Sequence, residues 1–109
     1  MKTFLRMWQQ CSALPKPQSH YNLSTKIVAQ AASEIVGARA ECRAGECTTG
    51  VLISDAMFDS VKDQGVQIAI QNSGGIRASL DAGKVIMGEV LTVLPFQNTL
   101  STFEVSGAT

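Results

Sequence analysis

Val66-Gln67-Ile68-Ala69-Ile70-Gln71-Asn72-Ser73-Gly74-Gly75-Ile76-Arg77 joins an alternating apolar run to a pair of glycines. The run has the period of two expected of a strand, so residues 66–70 are predicted to be one. Two adjacent glycines then let the backbone fold tightly. Such a turn is expected to leave N–H groups facing outward, where an anion or a planar ring would meet them. Asn72 supplies an amide at one end of the turn and Arg77 a guanidinium at the other. A guanidinium offers a planar fork of donors to an oxyanion, so the assembly suits a phosphorylated or heteroaromatic small molecule. The competing reading is an ordinary glycine turn followed by a solvated Arg.

Working outward, Asp81-Ala82-Gly83 is a turn signal, and a short helix is expected over Met87–Val93 before Pro95 stops it. Leu100 to Val105 reads as a closing strand, with Ser101, Phe103 and Val105 on one side. Upstream, Leu52, Ile53, Ala56, Met57 and Val61 form the buried stripe of a helix beginning near Thr49 and ending by Gly65. Ile27, Ala31 and Ile35 fall four apart, beside Val28, Ala32 and Val36. That spacing predicts a further helix over 24–37, with Ser24 as N-cap and Gly37 as terminator. Residues 1–23 lack a period, contain Pro15 and Pro17, and read as an irregular leader.

The chain has 109 residues, room for one small domain. Nine basic residues balance nine acidic ones, which argues against a nucleic-acid partner. No apolar run approaches a membrane span, and Arg6, Gln9 and Gln10 interrupt what would be the core of a signal peptide. Cys42 and Cys47 enclose four residues, a loop that a disulfide can close if the backbone permits. A zinc site is the rival, and it would have to recruit Cys11 and His20. Thiol redox chemistry fits less well, because redox pairs usually enclose two residues. Asp55 and Asp59, four apart on the second helix, read as surface charge rather than as a catalytic pair.

Three blocks occur in order: Glu41-Cys42-Arg43-Ala44-Gly45-Glu46-Cys47 running into Gly50-Val51-Leu52, then Asn72-Ser73-Gly74-Gly75-Ile76-Arg77, then Val93-Leu94-Pro95-Phe96. Together they resemble the C-terminal, substrate-binding domain of the 5′-nucleotidase and UDP-sugar hydrolase family, over residues 39–109. The resemblance implies a mixed α/β fold (α+β), a small mixed sheet flanked by helices, with the domain spanning 24–109 and cut short at its C-terminal edge. It implies nucleotide recognition in a phosphomonoester hydrolase of nucleotide catabolism. Arg43 and Arg77 would hold the phosphate, Asn72 the base or ribose, Gly74 and Gly75 the loop between them, and Phe96 one face of the base. A second stacking Phe and a ribose-binding Asp of the family would fall beyond Thr109. In the family the bond-breaking step needs two divalent metals, such as zinc, in a separate metallophosphoesterase domain. None is expected on this chain, which lacks those metal motifs and would be inactive alone. Some exported members bridge the equivalent cysteines, which implies a Cys42–Cys47 disulfide and a periplasmic or extracellular parent. Many relatives carry Asn where this chain has Val51, which would remove a polar group near the ligand loop. The alternative is a non-catalytic truncated remnant or partner-binding module of the same fold. With the domain cut short, a second copy would supply its missing strands in a domain-swapped oligomer.

Overall fold

The computed structural model describes residues 24–107, and the leader expected over 1–23, with Cys11 and His20, lies outside the described residues. The architecture is α/β, a small sheet with helices against it. Strand β1 (Ile27–Ala31) pairs antiparallel with β2 (Gly83–Ile86). Helices α1 (Arg39–Ala44) and α2 (Thr48–Val61) follow β1, and α3 (Met87–Val93) follows β2 directly.

The helix predicted over 24–37 is a strand instead, and the reason is a bulge. The register slips between Ile27, opposite Ile86, and Ala29, opposite Val85. An extra residue in one strand displaces the pleat. Val28 and Ala31 are therefore the half-buried members of β1, three residues apart. A strand has thereby acquired the spacing of a helix face. Its β-branched Ile27 and Val28 are the residues a strand favours.

Beyond β1, Ile35 and Leu80 exchange both backbone hydrogen bonds, at 2.9 and 3.0 Å, as an isolated antiparallel bridge. The start of α2 then locks onto the same segment. The Val36 N–H donates to Thr48 Oγ1 at 2.7 Å, the Thr49 N–H donates to the Val36 carbonyl at 2.9 Å, and the Thr49 hydroxyl donates to the Ile35 carbonyl at 3.0 Å. Thr49 is thus a buried polar residue with its hydroxyl satisfied. Helix α2 ends through a 3-10 turn (Lys62–Gln64) at Gly65, whose φ of 76° is the left-handed conformation glycine adopts readily. The core joins Ile53 of α2 to Ile76, Leu80, Val85 of β2, and Met87, Val90 and Val93 of α3. At α3, Glu89 accepts the Ile86 N–H at 2.8 Å, which caps the first turn.

Two predicted strands do not form. Neither 66–70 nor 100–105 has a ladder partner among the described residues. Ile68 and Ile70 stand 75% and 80% exposed, with Phe103 and Val105 similarly open. Alternation specifies which face a strand would bury, but it does not supply the neighbouring strand.

Gly37 is the most closely packed of the described glycines. A Cβ there would lie 2.1 Å from the Ala78 carbonyl oxygen and 2.9 Å from Thr49 Oγ1. Overpacking against backbone costs roughly 1–3 kcal/mol or more. Gly37→Ala should lower the urea midpoint by at least that equivalent, whereas Gly45→Ala, where a Cβ meets nothing within 4 Å, should change it far less.

Candidate nucleotide-binding surface

The segment 71–77 folds around a 3-10 turn (Ser73–Gly75). Neither Gly74 nor Gly75 has positive φ. Their value is spatial: a Cβ on Gly75 would press within 2.7 Å of Gln71 Nε2, and one on Gly74 within 3.3 Å of Asn72 Nδ2. The glycines leave room for two amide side chains to fold over the turn. There the Gln71 amide donates to Asn72 Oδ1 at 3.3 Å and to the Asn72 carbonyl at 3.2 Å.

The outward-facing N–H groups expected of this turn are not what the structure provides at its far side. The Gly75 N–H donates to the Asn72 carbonyl at 3.1 Å, that of Ile76 to the Ser73 carbonyl at 3.2 Å, and that of Arg77 to the Val93 carbonyl at 3.0 Å. A carbonyl in the last turn of a helix has no partner within its helix. Val93 finds one in Arg77, and that bond fixes the end of the glycine loop against the end of α3.

Two predicted site residues come together as a result. Pro95 turns the chain after α3, and Phe96 follows it, 47% exposed and outside the core. Its ring lies under the Arg77 guanidinium, with Cζ 5.5 Å from the centroid. This is cation–π geometry and holds the guanidinium over one face of a half-exposed ring. The Arg77 side chain also donates to the Gly74 carbonyl, at 3.5 Å. Asn72 lies on the same loop, exposed. Arg43 sits exposed on α1, which packs beside the Ser73–Gly75 turn.

Cys42 and Cys47 form a disulfide with Cα atoms 4.9 Å apart, both residues buried. Among the described residues, no three His, Cys, Asp or Glu side chains cluster as a metal site would need. No described helix is long and apolar enough to cross a membrane. Asp59, near the end of α2, pairs with Lys62 of the 3-10 turn that follows, at 2.6 Å. Arg39 is absent from the residues that sequence reasoning singles out. It lies one turn before Arg43 on α1, so the two share a helix face. The four-residue spacing is visible in the sequence, but placing a helix over 24–37 turns Arg39 into a connector.

A hollow of about 440 Å³ opens beside the loop, lined by Gly50, Val51, Asp55, Glu46, Gln71 and Ser73 among others. It has two carboxylates and no basic lining residue, so its field disfavours a phosphate. Arg43, Arg77 and Phe96 do not line it.

The family model described as 5′-nucleotidase, C-terminal domain, matches residues 27–109. A 5′-nucleotidase of Vibrio parahaemolyticus is 35% identical over 107 residues, covering 98% of this chain and 17% of that protein. A trifunctional nucleotide phosphoesterase of Bacillus subtilis is 44% identical over 72 residues, covering 65% of this chain and 5% of its own length. The crystal structure of a 5′-nucleotidase precursor from Thermus thermophilus superposes with a TM-score of 0.72 at 44% identity, over 75% of this chain and 16% of that one. The chain thus spans less than a fifth of the length of these relatives.

The Asp59 contact raises the Lys62 pKa, first through the hydrogen bond and then through the charge. A raised folded-state pKa makes the contact's contribution complete at neutral pH and loses it only as pH climbs through the lysine range. Asp59→Asn should therefore lower the Lys62 pKa in an NMR titration and leave the protein's stability between pH 6 and 8 almost unchanged, as surface pairs contribute little.

Proposed function

Since this chain belongs to the family of 5′-nucleotidase C-terminal domains, we propose that it is the nucleotide-recognising part of a phosphomonoester hydrolase of nucleotide catabolism. The observation that carries the reading is the Arg77–Phe96 pair, a guanidinium held over one face of a ring that is itself half exposed. One group offers a fork of charged donors to a phosphate, and the other a flat apolar surface to a base. Arg43 completes the phosphate clamp from α1, with Arg39 one turn away on the same face. Asn72 offers its amide to the base or ribose beside them. A nucleotide held this way presents its phosphate at a fixed orientation, which is what a positioned attack requires.

The hydrolysis itself we assign to a metallophosphoesterase domain carrying two divalent metals, such as zinc. When bound there, such metals would polarise the phosphoryl oxygen and supply hydroxide. The residues of this chain bind and orient; no bond-breaking step is routed through them. A periplasmic or extracellular setting is supported by the Cys42–Cys47 bridge, since disulfides persist in oxidising compartments.

A second reading, a non-catalytic module that docks a partner or a second copy, is favoured by one observation. Ile68, Ile70, Phe103 and Val105 are exposed on segments that alternate as strands do. Native mass spectrometry separates the two readings: a stable dimer without nucleotide affinity favours the module.

Thermal-shift titration of the 109-residue chain with AMP, adenosine and UDP-glucose should give a saturable rise with AMP. Arg77→Ala should weaken AMP binding by about 10-fold or more, because it removes a charge-assisted contact worth about 1.5–3 kcal/mol. Phe96→Ala should cost on the order of 1–3 kcal/mol for both AMP and adenosine, as loss of base stacking does. Folded protein that none of these ligands stabilises would overturn the reading.

A further inference from the structure

We propose that the Cys42–Cys47 disulfide is the positioning element for Arg43: its bond, rather than the stability of the helix that carries Arg43, aims that side chain at the nucleotide surface. The inference rests on the functional reading above. Helix α1 has six residues, Arg39–Ala44, while isolated helices shorter than about 12–15 residues are marginal in water. Its start has no side-chain cap, and within the helix Cys42 is the single buried residue. The Cys42 side chain is spent on the bridge to Cys47. Cys47 in turn is the N-cap residue of α2, and its sulfur packs where Gly50 leaves space, 3.2 Å from the position a Cβ would take. Helix α2 is anchored independently, through Thr48, Thr49 and Ile53. The bridge therefore ties a weak element to a strong one, and Arg43 occupies the position directly after the tethered cysteine.

Opening the bond should release α1 and leave the core intact. Dithiothreitol does this by passing two electrons and two protons to the S–S bond, giving two thiols and its own cyclic disulfide. The measurement compares the oxidised chain, the reduced chain and a Cys42→Ala/Cys47→Ala variant by amide hydrogen exchange and by AMP titration.

On opening the bridge, the amides of Cys42 and Gly45, bonded to Ala38 and Glu41 at the two ends of α1, should exchange about 10-fold faster or more. Those of Thr49 and Leu80, bonded to Val36 and Ile35, should not change. AMP affinity should fall about 5-fold or more. Arg43→Ala, which weakens the oxidised chain, should add nothing to the reduced one, while Phe96→Ala should still weaken both. Unchanged exchange at Cys42 and Gly45 overturns the proposal, and so does a reduction effect that adds in full to Arg43→Ala. Loss of protection at Thr49 and Leu80 overturns it too, since the bridge would then hold the whole core. An oxidised chain that ignores AMP refutes the functional reading, while the exchange data still decide whether the bridge sets α1.

Discussion

Ile35 and Leu80 exchange two backbone hydrogen bonds across 45 positions of sequence, and most of the described structure is arranged around that exchange. On one side of it the chain turns through Gly37 into α1 and α2. On the other it comes from the glycine loop and goes on to β2. The threonines at the start of α2 bond the carbonyls of Ile35 and Val36, so the helix is referenced to the bridge rather than to its own propensity. Gly37 lies so close to Ala78 that the two backbones are in contact, and its N–H donates to Ser79 Oγ at 2.9 Å. Backbone polar groups brought this close have little room for water and must satisfy each other. The bonds at Val36, Gly37 and Thr49 reinforce the same alignment.

From this frame the candidate surface inherits its geometry. Ile76 and Leu80 are buried on either side of Arg77–Ser79, which fixes where the loop leaves the core. Val93, fully buried at the end of α3, holds the Arg77 amide by its carbonyl. The guanidinium and the phenyl ring therefore meet because buried aliphatic residues hold their backbones in place. Burying such side chains contributes about 1.5–3 kcal/mol each, far more than a half-exposed cation–π contact of roughly 0.5–1 kcal/mol. Packing sets the arrangement, and the aromatic contact selects one rotamer within it.

The parts of the molecule legible in the sequence are those set by local chemistry. Helix α2 shows its apolar stripe and its Gly65 stop; α3 shows its stop at Pro95; Asp81-Ala82-Gly83 shows a turn, and Gly83 adopts a φ of 104° there. The family resemblance correctly implies the disulfide. What the sequence conceals depends on partners far along the chain. A bulge gives β1 the spacing of a helix face, and that mistaken helix displaces Arg39 from the one it shares with Arg43. Residues 66–70 and 100–105 alternate well, yet a strand exists only where another lies beside it. Adjacent glycines at 74 and 75 announce the tight turn that forms, but not that they serve it by omitting Cβ atoms beneath Gln71 and Asn72.

The amides of Gly75, Ile76 and Arg77 are all consumed by carbonyls of the chain itself. Any hydrogen bond donated along that half of the loop must therefore come from a side chain, which single-codon changes alter without moving the main chain. Residues 72, 77 and 96 are all exposed, so a lineage carrying this scaffold can exchange them one at a time without disturbing the core. The adaptable layer and the structural layer are separate here, and selection can act on the first while the second stays constant.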